Sequence, residues 1–343
     1  MRIAIELHGT IRHGLWSAER GESRWAQNLA AVLARAGHEL IVFGPVDNQD
    51  GRDGWGVMPP FPGVRLLDWT LSAGFECDLY TDTAWYSGKS EVARHLPRAK
   101  HILRGYFSRQ LAGVTEEPWP AHHHLIYPYE HTAAGMKDCA NGPGHFLPYV
   151  MLPLEWWMGE LPVAERGGVL WGNKTPLAPG LPESYREWAL YALEWMDRHA
   201  RVPKTILCAT DLPAGQTAKF GHATVLPAAP FGYVLDFMHR ASVCLNTPAW
   251  GSFPMEASLE GCVPIGWWGD PFLEPLYRAA GETHLLLDPA RPSRAALEAA
   301  LDVLLYDEEV RAVLRLVARK RLAPYSPGNT LACFERIVQE IGL

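Results

Sequence analysis

The 343-residue chain has no long basic run, no C-x-x-C pair and no apolar stretch of membrane-spanning length. Each absence excludes a class. Lys and Arg total 31 against 38 Asp and Glu, a formal net charge of −7. A protein that lives by phosphate-backbone contacts is ordinarily basic overall or carries a basic stripe, so nucleic acid is not the expected main partner. The six cysteines (Cys77, Cys139, Cys208, Cys244, Cys262 and Cys333) are scattered. Zinc and redox motifs need close ligand pairs, and disulfide frameworks belong to small secreted domains. Reduced core thiols are the expectation. The chain begins with a strand-like run, residues 2–7, without a signal-peptide core, and no segment reaches the ~18 apolar residues of a span. The protein is therefore read as cytoplasmic. G-x-G-x-x-G, P-loop and G-x-S-x-G motifs are also missing, which argues against NAD enzymes, kinases and common hydrolases.

What is present is ordinary globular composition, 48% apolar and 20% charged. A chain longer than roughly 250–300 residues divides into domains, because one hydrophobic core stops growing near that size. Fourteen tryptophans occur, some paired, as in Trp156-Trp157 and Trp267-Trp268. Aromatic walls suit sugars, but tryptophan also fills cores.

Short β-rich runs alternate with helical periodicity. Residues 2–7 read as a buried strand. Residues 24–36 read as a helix with Trp25, Leu29, Val32 and Leu33 on one face, Glu22-Ser23 as its N-cap region and Gly37 at its end. Strands follow at 39–43, 64–69, 78–81, 101–106 and 124–127. The second half repeats the plan, with strands at 168–171, 204–208, 224–226, 242–246 and 263–267. Helices are expected at 183–199, 233–240, 255–260, 293–305, 308–321 and 330–341. Strand, helix and strand within about 40 residues is the βαβ signature of a parallel sheet. The join, residues 147–168, is rich in proline and glycine. The fold class is α/β: two doubly wound domains with a cleft between them, 1–150 and 168–325, and a C-terminal helix, 326–343, packing back toward the first. Ligands of such sheets bind beyond the carboxyl ends of the strands, here the loops after residues 7, 81, 106, 171 and 246.

The densest stretch runs from Leu245 to Ile265 through Asn246-Thr247-Pro248-Ala249-Trp250-Gly251-Ser252-Phe253-Pro254-Met255-Glu256. It reads as strand, small-residue loop, helix N-terminus, a short helix closed by Gly261, and another strand. Free amides and the positive end of a helix favour an anion there. Glu256 in the first turn can accept two hydrogen bonds from adjacent hydroxyls.

This stretch resembles the donor-binding segment of retaining GT-B glycosyltransferases of the family-4 type. The resemblance extends in order over most of the chain, through Arg20-Gly21-Glu22-Ser23-Arg24, residues 36–40, 237–243, 307–321 and 334–336. It implies the GT-B fold, two Rossmann-like domains facing a central cleft, and a nucleoside-diphosphate sugar as co-substrate. It also implies retention at the sugar carbon and no metal or other cofactor. By resemblance, Glu256 binds the ribose hydroxyls, and Gly251, Ser252 and Phe253 approach the diphosphate, with Pro254 and Met255 completing the segment. Three positions depart from the pattern. Pro248 stands where the family has the first glutamate of its Glu-x7-Glu motif. Asn173 replaces an arginine, with Lys174 as a shifted source of charge. Tyr106 or Phe107 occupies the place of a mid-domain histidine.

Other candidates sit at strand ends. His8 follows the first strand, Asp82 follows residues 77–81, and Glu130-His131 follows another strand. These are the residues read as serving the acceptor or proton transfer, against structural roles in loops and caps. Gly14 and Gly21, in the long loop before the first helix, are read as an acceptor or phosphate loop. His122-His123-His124 invites a metal reading, but consecutive strand residues alternate faces, so a surface loop is expected instead. The acceptor is a hydroxyl on a small molecule, glycan, protein or modified nucleic acid. Two alternatives stay open: a non-catalytic GT-B relative that binds a nucleotide or partner, and a GT-B epimerase or phosphorylase.

Overall fold

The computed structural model describes residues 1–6, 11–12, 15–16, 21–46, 61–82, 98–105, 121–129, 144–159, 165–172, 182–207, 223–226, 231–246, 248 and 252–343. They fall into two units, Met1–Leu152 with Pro324–Leu343, and Pro153–Ala323.

In the first unit, β1 (Arg2–Glu6), β4 (Glu39–Gly44), β5 (Val64–Asp68), β6 (Glu76–Asp82), β7 (Arg98–Gly105), β8 (His123–Tyr127) and β9 (His145–Phe146) form one sheet. A two-stranded antiparallel ribbon, β2 (Ile11–Arg12) and β3 (Leu15–Trp16), is a separate small sheet, joined to the residues after β4 by the Ile11 amide to the Pro45 carbonyl at 2.8 Å. The sheet order is β5-β4-β1-β6-β7-β8-β9, with every pair parallel. Residues 3–5 and 40–43 are completely buried. Continuous apolar runs of this kind mark strands covered on both faces. Helix α1 (Gly21–Arg35) lies against β1, β4 and β5. It buries Trp25, Ala26 and Leu29, and is tied by Trp25 Nε1 to the Pro148 carbonyl and by Asn28 Nδ2 to the Val150 carbonyl.

Helix α1 begins three residues before the expected start, so Glu22 and Ser23 lie within its first turn rather than before it. Gly21 is its first residue and not part of a loop. Its other end agrees with the reading. Gly37 has φ +85°, its amide meets the Ala34 carbonyl, and the His38 amide meets the Leu33 carbonyl. This pair of bonds satisfies the last carbonyls of a helix and needs a left-handed residue.

Of the three consecutive histidines, His122 is an exposed turn residue as expected, but the other two are not in a loop. His123 and His124 open β8, because Ile102 pairs with His123 and Leu103 with His124 across the parallel ladder. His123 is buried, and His124 Nε2 lies 3.0 Å from His101 Nδ1. Alternation along the strand sends His123 and His124 to opposite faces, while the rings of His122 and His123 meet edge to face at 4.4 Å between centroids.

The second unit contains α2 (Glu155–Met158), β10 (Val169–Gly172), α3 (Glu183–Arg198), β11 (Lys204–Leu207), β12 (Ala223–Leu226), α4 (Phe231–Arg240), β13 (Val243–Leu245), α5 (Phe253–Leu259), β14 (Val263–Pro264), α6 (Leu273–Ala280), α7 (Arg294–Tyr306) and α8 (Glu308–Leu322). Its sheet order is β12-β11-β10-β13-β14, again parallel throughout. The last strand is two residues long, shorter than the expected 263–267, and Trp267 makes only an isolated bridge to Leu287. Several tryptophans are core. Trp188, Trp195 and Trp267 are buried, with Trp188 and Trp267 edge to face at 5.2 Å between centroids. Ser293 caps α7, and the Asp307 carboxylate caps α8 through the Glu309 and Val310 amides. Helix α9 (Pro327–Glu340) belongs to the first unit, where Phe334 meets the His38 ring.

Cys77, Cys244, Cys262 and Cys333 are free and buried, as expected of core thiols. Cys139 and Cys208 lie outside the described residues. No described helix is long and apolar enough to cross a membrane.

Candidate functional site

Both sheets run outward from a central strand. In the first unit the order reverses at β1, with β4 on one side and β6 on the other; in the second it reverses at β10, with β11 and β13 flanking it. Loops diverge at such a point and leave a crevice at the carboxyl ends of the strands.

In the second unit, β13 delivers Asn246, itself buried, and the chain re-enters at Ser252 to start α5. Pro254 occupies the first turn, where its missing N–H costs nothing and its fixed φ suits the helix. Glu256 follows in the same turn, its amide bonded to the Ser252 carbonyl at 2.9 Å and its side chain 5% exposed. The helix closes at Gly261, φ +79°, where the Cys262 amide reaches the Ala257 carbonyl and the Gly261 amide the Ser258 carbonyl. This is the terminating glycine read from the sequence. Ser252 makes no side-chain cap, and seven residues give only a short dipole.

One contact spans the reversal point directly. A Cβ added to Gly172, the last residue of β10, would stand 1.6 Å from Phe253 Cζ. The Phe253 ring therefore lies on the Gly172 backbone, and only glycine fits. The end of β10 and the start of α5 are in close contact there.

In the first unit, the corresponding point is flanked by Glu6 at the end of β1 and Asp82 at the end of β6. Glu6 is 5% exposed, and Tyr80, fully buried, donates its hydroxyl to Glu6 Oε2 at 2.9 Å. Tyr80 lies opposite Ala4 in the ladder, so its ring runs along the face that Ala4 and Glu6 share. The buried carboxylate is thus held by a charge-assisted bond.

The expected residues are only partly gathered. Ser252, Phe253, Pro254, Met255 and Glu256 occur together at the start of α5. Asp82 belongs to the other unit. His8, Gly14, His131, Asn173, Lys174 and Gly251 lie outside the described residues. Glu6, Tyr80, Gly172 and Glu260 were missed. Glu6 carried one legible signal, an acidic residue closing an otherwise apolar strand.

Solved structures share this arrangement of two parallel sheets. Sucrose-phosphate synthase from Thermosynechococcus elongatus superposes with a TM-score of 0.62 at 14% identity, over 99% of each chain. A glycosyltransferase from Rickettsia africae gives 0.56 at 8% identity, over 99% of this chain and 98% of that one. WaaG, a glycosyltransferase involved in lipopolysaccharide biosynthesis, gives 0.55 at 13% identity, over 93% and 94%. The fold is GT-B. No protein-family model matches the chain, and no curated protein matches it either. At these identities the GT-B likeness is one of fold, and the chemistry has to be argued from the site.

Within the GT-B second unit, the far end of α5 is unusually charged for a core. Glu260 is 6% exposed, and its Oε1 accepts the Leu154 amide at 2.9 Å. His239 Nδ1 stands 3.4 Å from Glu260 Oε2, and the Arg166 guanidinium donates to the Glu260 carbonyl. Burial pushes the Glu260 carboxyl up to about 7, against the Leu154 amide, which lowers it. Burial also lowers His239, so that its neutral form is favoured. A neutral acid facing a neutral imidazole is the least costly state of such a pair. Among the described residues, no group of three or more His, Cys, Asp or Glu side chains is arranged to hold a metal ion.

Proposed function

We propose that the chain transfers a sugar from a nucleoside-diphosphate sugar to a hydroxyl acceptor, with retention at the sugar carbon. The observation that carries this reading is Glu256. It is a buried carboxylate in the first turn of the helix after β13, beside the reversal point of a parallel sheet. A carboxylate there can accept both hydroxyls of a ribose, and it leaves the loop before α5 to face the diphosphate. Departure of the diphosphate builds negative charge, which preorganised amides and Lys174 would stabilise better than water does. No cofactor enters this scheme. Of the structural neighbours, LpCGTa, with a TM-score of 0.54 at 12% identity, was solved in complex with UDP. That supports a nucleotide as the donor's handle. Acceptor recognition is assigned to the first unit, at the ends of β1 and β6, with Asp82, His8 and His131 as the proton-handling candidates and Gly14 at the acceptor loop.

The test is thermal stability against a panel of nucleotides and nucleotide sugars, with and without chelator. Ligand at 100 times its dissociation constant adds about 2.7 kcal/mol to the folded state, a shift of a few degrees. A shift specific to one base, indifferent to chelator and abolished in Glu256→Ala, is the expected result. A flat panel would remove the donor-site reading. One observation favours a second reading. Pro248 supplies no carboxylate where the resembling family holds its donor sugar, which fits a GT-B relative that binds nucleotide without turning it over. Turnover of any donor excludes that reading.

A further inference from the structure

Helix α5 is only seven residues long. Few internal hydrogen bonds hold so short a helix, and its position is set by tertiary contacts. Those contacts converge on its last turn. Glu260 takes the amide of Leu154, the second residue of this unit, on one carboxyl oxygen and faces His239 of α4 with the other. Arg166 covers the carbonyl of the same residue, and a Cβ at Gly261 would come within 3.0 Å of its guanidinium. The Glu260 amide in turn donates to the Glu256 carbonyl at 3.1 Å. Residues four apart lie on one face of a helix, so whatever fixes Glu260 fixes the turn that carries Glu256.

We propose that Glu260 is a positioning residue for the donor helix, an anchor that holds α5, and with it Glu256, to Leu154 and His239. The inference rests on the donor-site reading of Glu256. The anchor is tight when Glu260 is the neutral acid. Its carbonyl oxygen accepts the Leu154 N–H, and its hydroxyl faces the ring nitrogen of neutral His239. Ionisation puts an unshared charge in a dry site and favours openings that let water reach it.

The groups around the carboxyl offset that cost only in part, the Leu154 amide and Arg166 favouring the charge against burial. On the Leu154 side stands Glu155, a like charge, and Arg166 acts from the other side of the helix end. On α4, Asp236 and Arg240 face His239 but are paired with each other at 2.9 Å. From α8, Arg315 is tied to Glu308, and Arg319 acts on Arg166. Cys262, beside Gly261, is free and buried and acts on Arg166.

The experiment is hydrogen–deuterium exchange of the ligand-free full chain at pH 6 and pH 8, corrected for the intrinsic pH dependence of exchange. The native chain is compared with Glu260→Gln and Glu260→Ala. Gln is the isostere of the neutral acid: it keeps the acceptor for Leu154 and a donor for His239, but it does not titrate. Protection of residues 153–159 and 253–262 should fall about tenfold from pH 6 to pH 8 in the native chain, the change that ionisation through pH 7 produces. It should stay high at both pH values in Glu260→Gln and be low at both in Glu260→Ala. Protection that is independent of pH in the native chain, or that follows pH equally in Glu260→Gln, would overturn the anchor. Nucleotide affinity, measured by calorimetry, should weaken at least threefold in Glu260→Ala and recover in Glu260→Gln. Native affinity in Glu260→Ala would overturn the positioning role. If the native chain binds no nucleotide at any pH, the donor-site reading falls, and the exchange data alone decide whether the anchor exists.

Discussion

The two units wind their sheets alike, outward from a central strand, yet they furnish the two reversal points differently. In the first, a buried carboxylate, Glu6, is held by the Tyr80 hydroxyl at the end of β1. In the second, the central strand ends in a glycine, and the Phe253 ring occupies the space a side chain would fill. The carboxylate comes instead from α5, the helix that follows the neighbouring strand β13, as Glu256. The fold supplies a crevice in both places, and the residues at the strand ends decide what chemistry each can do. A backbone left bare by glycine lets a helix approach closely. A strand end bearing a carboxylate keeps its polar group in the sheet and needs a partner from the neighbouring strand.

The largest effect should come from breaking the close approach in the second unit. Gly172→Val puts branched carbon where the Phe253 ring lies and should cost about 3 kcal/mol or more of stability, at the upper end of overpacking. Adding Phe253→Ala should restore part of the loss, because the two residues share one space. Urea denaturation of both variants and the double variant measures the coupling, and strict additivity would show that the ring moves aside at no cost.

Next comes the pH dependence of the second unit. Glu260 is raised to about 7 in the folded protein, above the ordinary value of 4.5. Its contribution is therefore fully present below pH 4.5 and lost as pH rises through 7, up to about 3 kcal/mol at 1.36 kcal/mol per unit. His239 acts in the opposite sense: its lowered value removes stability as pH falls below 6.5. Native and Glu260→Gln melting curves between pH 4.5 and 8 separate the two, and the difference between them should grow from pH 4.5 to about 7 and level off above it.

Glu256→Ala should weaken nucleotide binding by about 10- to 100-fold, the loss of hydrogen bonds to a charged group worth about 1.5–3 kcal/mol. Titration calorimetry reads it directly. Tyr80→Phe, its counterpart in the first unit, should cost about 1–2 kcal/mol of stability by removing one donor from buried Glu6, and leave nucleotide affinity unchanged. A change in affinity on Tyr80→Phe would end the division of labour between the two reversal points.

Periodicity alone made the α/β class and most elements legible, because apolar runs bounded by turn residues mark strands covered on both faces. The terminating Gly261 of α5 was readable too, since glycine past a last turn follows from local backbone limits, while the helix starts at Phe253, two residues before the expected 255. His123 and His124 were misread because strand pairing with Ile102 and Leu103, not composition, puts them in a sheet. Gly21 was misplaced because nothing local separates the end of a loop from the first turn of α1.

What the sequence by itself determined is therefore the menu of elements, their order and the stretch that carries Glu256. These depend on interactions within a few residues. Tertiary structure alone decided that Gly172 meets Phe253, that Tyr80 serves Glu6, and that Glu260 holds Leu154 across 106 residues of chain. Such contacts come from packing distant segments against one another, and the burial that follows, not the residue type, is what moves the Glu260 carboxyl to about 7.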